Sequence, residues 1–156
     1  MPGACAIRIV VQADDFDTAG EIANLSANAG AVGAVVTFSG ICRDEAGTLE
    51  ALELEHYPGM AEAEIARIAE DAAARWPVSA LTVMHRHGRI RPGENIVLVV
   101  SASAHREAAF EAAAFLMDFL KTRAPFWKKE YLRTGAMGDW VEAKDVDDDA
   151  ADRWVK

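Results

Sequence analysis

The chain has 156 residues, with 16 basic and 25 acidic side chains and a formal net charge of −9 at pH 7. This length predicts a single domain over residues 1–156, and the acidic balance argues against general nucleic-acid binding. The sequence shows no basic-then-apolar leader and no apolar run long enough to span a membrane, so we expect a soluble, cytoplasmic protein.

The first half of the chain predicts three strands and two helices. Alternating apolar residues predict strands at 4–11 and 49–57, and a β-branched run predicts a buried strand at 33–39, followed by a loop at 40–47. Thr18-Ala19-Gly20-Glu21 has the spacing of a capping box, which begins a helix that we expect to end near Ala29. A second, amphipathic helix is predicted from Met60 to Trp76, with Ile65, Ile68, Ala69 and Ala72 on its inner face.

The second half of the chain also mixes predicted strands and helices. Strands are predicted at 80–85 and 95–103, the latter apolar on both faces and therefore central. Ser103 could cap a long helix at 104–122 whose predicted inner stripe is Phe110, Ala113, Met117 and Leu120. Strands at 128–133 and 140–143 and a helix at 147–154 complete the order. Such mixing predicts an α+β fold with a mostly antiparallel sheet.

A cationic segment follows the long helix. Pro125 cannot continue a helix, and Lys121, Arg123, Lys128 and Lys129 surround it, with Phe126 and Trp127 between them. Cations interleaved with aromatic rings suit an anionic, planar ligand. An exposed helix end whose lysines favour the helix dipole would have the same composition, so both interpretations stand.

Two further groups of cations could bind an anion. Arg43 follows a predicted buried strand, and His105 and Arg106 fall in the first turn of the long helix, where backbone N–H groups attract anions. The alternatives are a solvated loop arginine at Arg43 and a structural histidine at His105. His105 and Lys121 are separated by roughly 24 Å along one straight helix. Either the site is elongated or a second copy of the chain completes it, so we expect a dimer.

The remaining polar residues have simpler interpretations. Cys5 and Cys42 do not make a disulfide framework, and Cys42 at a strand end is typical of a small apolar residue. Cys-x-x-Cys and His-x-x-x-His patterns do not occur in the sequence, so we expect no metal site and no cofactor. We interpret His56, His85 and His87 as structural residues, and the acidic run at 145–149 as a solvated face.

Several segments in fixed order resemble one enzyme family. They include Leu-Lys-Thr-Arg-Ala-Pro-Phe-Trp-Lys-Lys-Glu at 120–130, and shorter matches at 36–43, 54–60, 85–88, 103–106 and 138–142. This set of segments resembles the large subunit of molybdopterin synthase. The resemblance implies an α/β-hammerhead-like fold and a sulfurtransferase of molybdenum cofactor biosynthesis. It implies transfer of sulfur from a thiocarboxylated, ubiquitin-like small subunit to cyclic pyranopterin monophosphate, forming the molybdopterin dithiolene.

The same resemblance implies an assembly and a set of site residues. The assembly is a homodimer of large subunits within a heterotetramer. The implied catalytic residues are Lys121 and Lys128, because two ammonium groups held close together disfavour each other's protonation and one could then act as a base. The implied substrate-binding residues are Ile41, Cys42, Arg43, His105, Arg106, Lys121, Lys128, Lys129 and Glu130. The alternative is a non-catalytic module that binds a phosphorylated metabolite or an acidic protein tail.

Overall fold

The computed structural model describes residues 5–25, 30–141 and 145–155. In these ranges the elements are β1 Ala6–Gln12, α1 Thr18–Leu25, β2 Ala34–Ile41, β3 Leu49–His56, α2 Met60–Arg75, β4 Val78–Arg86, β5 Gly88–Ile90, β6 Asn95–Ser103, α3 Arg106–Thr122, β7 Phe126–Leu132, β8 Met137–Val141 and α4 Asp145–Asp152. None of the helices in this part of the chain has both the length and the apolar character needed to cross a membrane. The predicted helix end at Ala29 and the predicted strand residues Ala4, Glu142 and Ala143 lie outside the described residues.

The first sheet has the strand order β1-β4-β6-β2. Strand β1 runs parallel to β4, and the other two pairings are antiparallel. Helices α2 and α3 cover one face of this sheet through an apolar core, and α1 contributes to a smaller core on the other face. Because both faces are covered, β4 and β6 are buried along most of their length, as the apolar run of β6 predicts.

The second sheet has the order β5-β3-β7-β8, and all its pairings are antiparallel. Strand β7 pairs with β3 so that His56 lies opposite Phe126 and Leu54 lies opposite Lys128. The predicted α+β class with mostly antiparallel strands is confirmed. The short strand β5 was not predicted, because three residues are too few for periodicity to show.

Helices α2 and α3 each bury one stripe of small and apolar residues. The stripe of α2 is as predicted, with Ile65, Ile68, Ala69 and Ala72 all buried. In α3 the prediction is partly wrong, because Phe110 is 60% exposed. The buried stripe lies around Ala109, Ala112 and Phe115 instead, where alanines allow the helix to approach the sheet closely.

The two residues predicted to act at helix starts both bond to other elements. The carboxylate of Glu21 accepts hydrogen bonds from Arg8 Nε and Nη2, both at 3.1 Å, and so ties α1 to β1. Ser103 donates to the carbonyl of Pro77 and also accepts the N–H of His105 at 3.4 Å, while His105 is the N-cap residue of α3. Ser103 therefore keeps a local contact at the start of α3 besides its bond to another segment.

Candidate active site

A cleft of about 640 Å³ opens where the end of β2, the loop after it, the last turn of α3 and one face of β7 meet. Its volume falls within the range of roughly 300–1,000 Å³ that is usual for small-molecule pockets. Five of the residues predicted for the site line it: Ile41, Arg43, Lys121, Lys128 and Glu130. The structure therefore brings together the cations of two distant sequence segments.

The turn at Pro125 explains how Lys121 and Lys128 reach the same cleft. The last turn of α3 is closed by a hydrogen bond from Arg123 N–H to Phe119 O at 2.7 Å, and Phe126 N–H then bonds to Ala124 O at 2.8 Å. The chain thus reverses within a few residues and enters β7. Since side chains alternate along a strand, Phe126, Lys128 and Glu130 share the face that lines the cleft.

Lys129 lies on the opposite face of β7. Its Nζ atom is 5.1 Å from the centre of the Trp140 ring, a cation–π contact across the pairing of β7 with β8. The residue does not line the cleft. Sequence adjacency put Lys128 and Lys129 into one predicted site, but strand alternation separates their side chains.

The loop after Arg43 is organised by its own acidic residues. Asp44 Oδ1 accepts hydrogen bonds from the N–H groups of Thr48 and Leu49, each at 3.1 Å, and Asp44 Oδ2 lies 3.5 Å from Arg133 Nη2. Arg43 Nη2 donates to Glu45 Oε1. An internal carboxylate therefore already contacts the cation that was predicted to bind substrate.

Sequence reasoning missed several residues that line the cleft. Asp44 and Glu45 line it, and so does Asp147 of α4, although the acidic run of the chain was interpreted as a solvated face. Phe126, which belongs to the cationic and aromatic segment singled out from the sequence, also lines it. Glu45 could have been suspected because it stands two positions after a candidate cation in a tight loop. Asp147 gave no such signal, because its place depends on how α4 packs on α3.

Cys42 lies beside the cleft but does not line it. Its side chain is 2% exposed and packs with Leu49, Leu54 and Ile90, and its Sγ faces the carbonyl of Ile90 at 3.9 Å. Burial, and to a smaller extent the nearby carboxylates, raise the pKa of this thiol. A thiol held in its neutral form is a poor nucleophile.

Four rings stack behind the cleft. The His85 and Phe126 rings are 3.8 Å apart and nearly parallel, at 12°. Phe126 also lies near His56, with ring centres 6.0 Å apart, and His56 in turn lies 4.3 Å from the tilted ring of His87, at an interplanar angle of 36°. Burial lowers the pKa of His85 to about 4, and the charges of Lys128 and Lys121 act in the same direction. The described residues include no group of three or more His, Cys, Asp or Glu arranged to hold a metal ion.

His105 and Arg106 lie at the other end of α3. Both are exposed, and neither lines the cleft of its own chain. His105 has an extended backbone, with φ −127° and ψ 149°, as befits the residue that precedes the first helical turn. The separation expected from the sequence is therefore present in the structure.

Comparisons with known proteins all identify one family. A family model described as MoaE protein matches residues 11–123. The chain is 66% identical over 154 residues to the molybdopterin synthase catalytic subunit of Mesorhizobium japonicum, covering 99% of this chain and 97% of that one.

Two solved structures are similar as well. The molybdopterin biosynthesis MoaE protein of Burkholderia ambifaria has a TM-score of 0.80 and 44% identity, covering 97% of this chain and 99% of that one. The molybdopterin synthase of Staphylococcus aureus has a TM-score of 0.75 and 30% identity, covering 86% and 96%. These findings confirm the family resemblance that the sequence segments carry.

Proposed function

Since the chain belongs to the MoaE protein family, we propose that it transfers sulfur from a thiocarboxylated small subunit to cyclic pyranopterin monophosphate. The product is molybdopterin with its dithiolene. The observation that carries the proposal is the cleft in which Lys121, Lys128 and Arg43 converge. A relative 66% identical over nearly the whole chain is named as the catalytic subunit of this synthase, which supports the same reaction.

The proposed roles follow from the position of each group. Lys121 and Lys128 stand on adjoining walls of the cleft, where an ammonium can donate a proton and an amine can accept one, and where either can stabilise developing negative charge. Arg43 binds the phosphate or the pterin at the rim, with Ile41 and Glu130 beside the substrate. Cys42 supports the wall from within, and Lys129 on the outer face takes no direct part.

A second copy of the chain would complete the site. His105 and Arg106 cannot reach the cleft of their own chain, because α3 is straight and holds them roughly 24 Å from Lys121. The first turn of a helix is suited to binding an anion, so these residues would meet the phosphate from across a dimer interface. We propose a homodimer that carries one small subunit at each end, with the thiocarboxylated tail entering each cleft.

We also propose a domain organisation and a cellular compartment for the chain. Residues 1–156 would form one domain, and Ile96 supports this because it packs against the cores of both sheets. Cytoplasmic localisation fits the two free thiols, Cys5 and Cys42, since cytosolic proteins keep their cysteines reduced.

The decisive experiment mixes the purified chain with a thiocarboxylated small subunit and cyclic pyranopterin monophosphate. Mass spectrometry should then detect a product that has gained two sulfur atoms, together with a small subunit that ends in an ordinary carboxylate. Tight binding of substrate or tail without any turnover would contradict the proposal and favour a non-catalytic binding module.

A further inference from the structure

The stack of four rings connects the two sheets at the back of the cleft. His85 belongs to β4 in the first sheet, whereas Phe126 and His56 belong to β7 and β3 in the second. The closest pair, His85 and Phe126 at 3.8 Å, is the contact that crosses between the sheets. The stack therefore joins the second sheet to the first at this point.

His85 is held firmly on the side of the first sheet. Its side chain is 7% exposed, and its Nδ1 lies 2.8 Å from the carbonyl oxygen of Arg86, to which it donates in the neutral tautomer. The Arg86 side chain in turn donates to the carbonyls of Ala13 and Asn95, at 3.1 and 3.0 Å. The imidazole ring consequently has a fixed orientation on a buried, central strand.

Phe126 is held by two neighbouring rings. Its ring centre lies 3.8 Å from that of His85, at an interplanar angle of 12°, and 6.0 Å from that of His56, at 25°, and the residue also lines the cleft. These contacts hold Phe126 on β7, which carries Lys128 two residues further along on the same face.

We infer that His85 is a positioning residue for the sulfur transfer, because its ring fixes Phe126 and thereby the place of Lys128 in the cleft that Lys121 also lines. This inference rests on the proposed function of the cleft. A flat, uncharged ring is what the position requires, since a cationic ring would repel the two lysines. The depressed pKa of His85 agrees with that requirement.

The competing interpretation is a buried histidine that only fills space and satisfies the Arg86 carbonyl. Two substitutions separate the interpretations. His85→Phe keeps a flat ring and His85→Leu does not, whereas both lose the hydrogen bond to Arg86. They differ in the stacking surface, so a difference between them in turnover reports on the stack.

The experiment measures single-turnover rates and substrate KM for both variants, with the folded fraction determined by circular dichroism. We expect His85→Phe to stay within about threefold of the wild-type rate, and His85→Leu to lose about 10- to 100-fold in rate with KM changed by less than about threefold. A loss of this kind is typical when a catalytic group is misplaced by a fraction of an ångström to an ångström. His87→Leu is the matched control, because its ring contacts only the far end of the stack, and it should retain the wild-type rate.

Equal rates for the two His85 variants, whether both high or both low, would overturn the inference. Should His85→Leu fail to fold, Phe126→Leu removes the same contact from the other ring and should lower the single-turnover rate by about 10- to 100-fold. The rate and not KM is the readout for this variant, because Phe126 itself lines the cleft, and an unchanged rate would overturn the inference. A wild-type chain without turnover would refute the proposed function instead, so the two failures are distinguishable.

Discussion

The two ends of helix α3 both carry cations, but they lie in different surroundings. At the C-terminal end, Lys121 lines a cleft together with Lys128 and Arg43. At the N-terminal end, His105 and Arg106 are exposed and lie far from that cleft. Both ends belong to segments that resemble the same family. Residues from one set of family motifs therefore do not all have to lie in the same site of a single chain.

The helix dipole sharpens this contrast. Lys121 in the last turn is favoured by the partial negative charge of the C-terminus. Arg106 in the first turn is disfavoured by the partial positive charge there, and only Glu107 offsets it within that turn. The C-terminal end is thus stable as it stands, whereas the N-terminal end is suited to an anionic ligand that another copy would present.

The largest expected effect separates the two faces of β7 at the C-terminal end. Lys121→Ala and Lys128→Ala should each lower the rate of molybdopterin formation by about 100- to 10,000-fold, the scale for a positioned acid–base group. Lys121→Arg should not restore activity, because arginine stays protonated. Lys129→Ala is the control and should cost less than about threefold; a comparable loss there would put Lys129 back among the catalytic residues.

The second prediction concerns the effect of pH on the free energy of unfolding, through His85 behind the cleft. The pKa of His85 is about 4 in the folded chain against an ordinary value of 6.5, so only the unfolded chain binds this proton between those values. The free energy of unfolding should therefore fall as the pH drops from 6.5 to about 4, by about 3 kcal/mol in total from this group. Urea unfolding of the wild type and of His85→Phe at pH 7 and pH 4.5 would measure it, because the variant should lack this component.

The third prediction concerns two arginines, Arg106 at the N-terminal end of α3 and Arg43 at the cleft. Arg106→Ala and Arg43→Ala should each weaken substrate binding by about 1.5–3 kcal/mol, through loss of a charged hydrogen bond, and leave the unfolding curve unchanged. Isothermal titration with the substrate would give the affinities. Unchanged affinity in both variants would remove the assigned role.

A mixing experiment tests whether the two ends come from different copies. Dimers of Arg106→Ala and Lys121→Ala chains contain one site with both defects and one intact site. At a substrate concentration too low to fill sites that lack Arg106, each variant alone should be nearly inactive. Random mixing of the two should then restore about a quarter of the wild-type activity, since half of the dimers are mixed and each has one intact site. No recovery, with exchange shown by mass spectrometry, would mean that both residues serve the same chain.

A smaller effect is expected where Glu45 contacts Arg43. Both side chains are largely exposed, so the pair contributes at most about 1 kcal/mol, but an incoming phosphate has to displace the carboxylate. Glu45→Gln should lower KM by about two- to fivefold at constant kcat. Glu50→Gln, which makes the same charge change on exposed surface outside the cleft, should leave KM unchanged.

The smallest effect is expected at Cys42. The thiocarboxylate already supplies activated sulfur, and the Cys42 thiol is buried and neutral, so Cys42→Ala should keep activity within about threefold. The assay is product formation, with circular dichroism to confirm folding. An inactive Cys42→Ala beside an active Lys121→Ala would reverse the assignment and favour a mechanism in which the Cys42 thiolate attacks the thiocarboxylate carbonyl, forms a thioester with the small subunit and releases sulfide.

The sequence predicted most of the elements and the cations of the cleft, because periodicity and Pro125 act locally. Lys121 and Lys128 come together through a short turn, which local reasoning can follow. Phe110 and Asp147 were misjudged because their burial depends on which face of α3 meets the sheet and on where α4 packs. These are tertiary contacts between distant segments, and the spacing of residues along the chain does not predict them.

The order of strands in the first sheet has a consequence for how the chain acquires its structure during synthesis. Ala6 pairs with Ala80 and Ala34 pairs with Ser103. Strands β1 and β2 therefore have no partner in this sheet until β4 and β6 have been synthesised. The β4–β6 pairing, in contrast, closes over a short intervening segment and costs little loop entropy. Strand β2, which ends at Ile41, two residues before Arg43, should therefore become ordered late, after the sheet centre on which the His85 ring lies. We expect the back of the cleft to form before its rim.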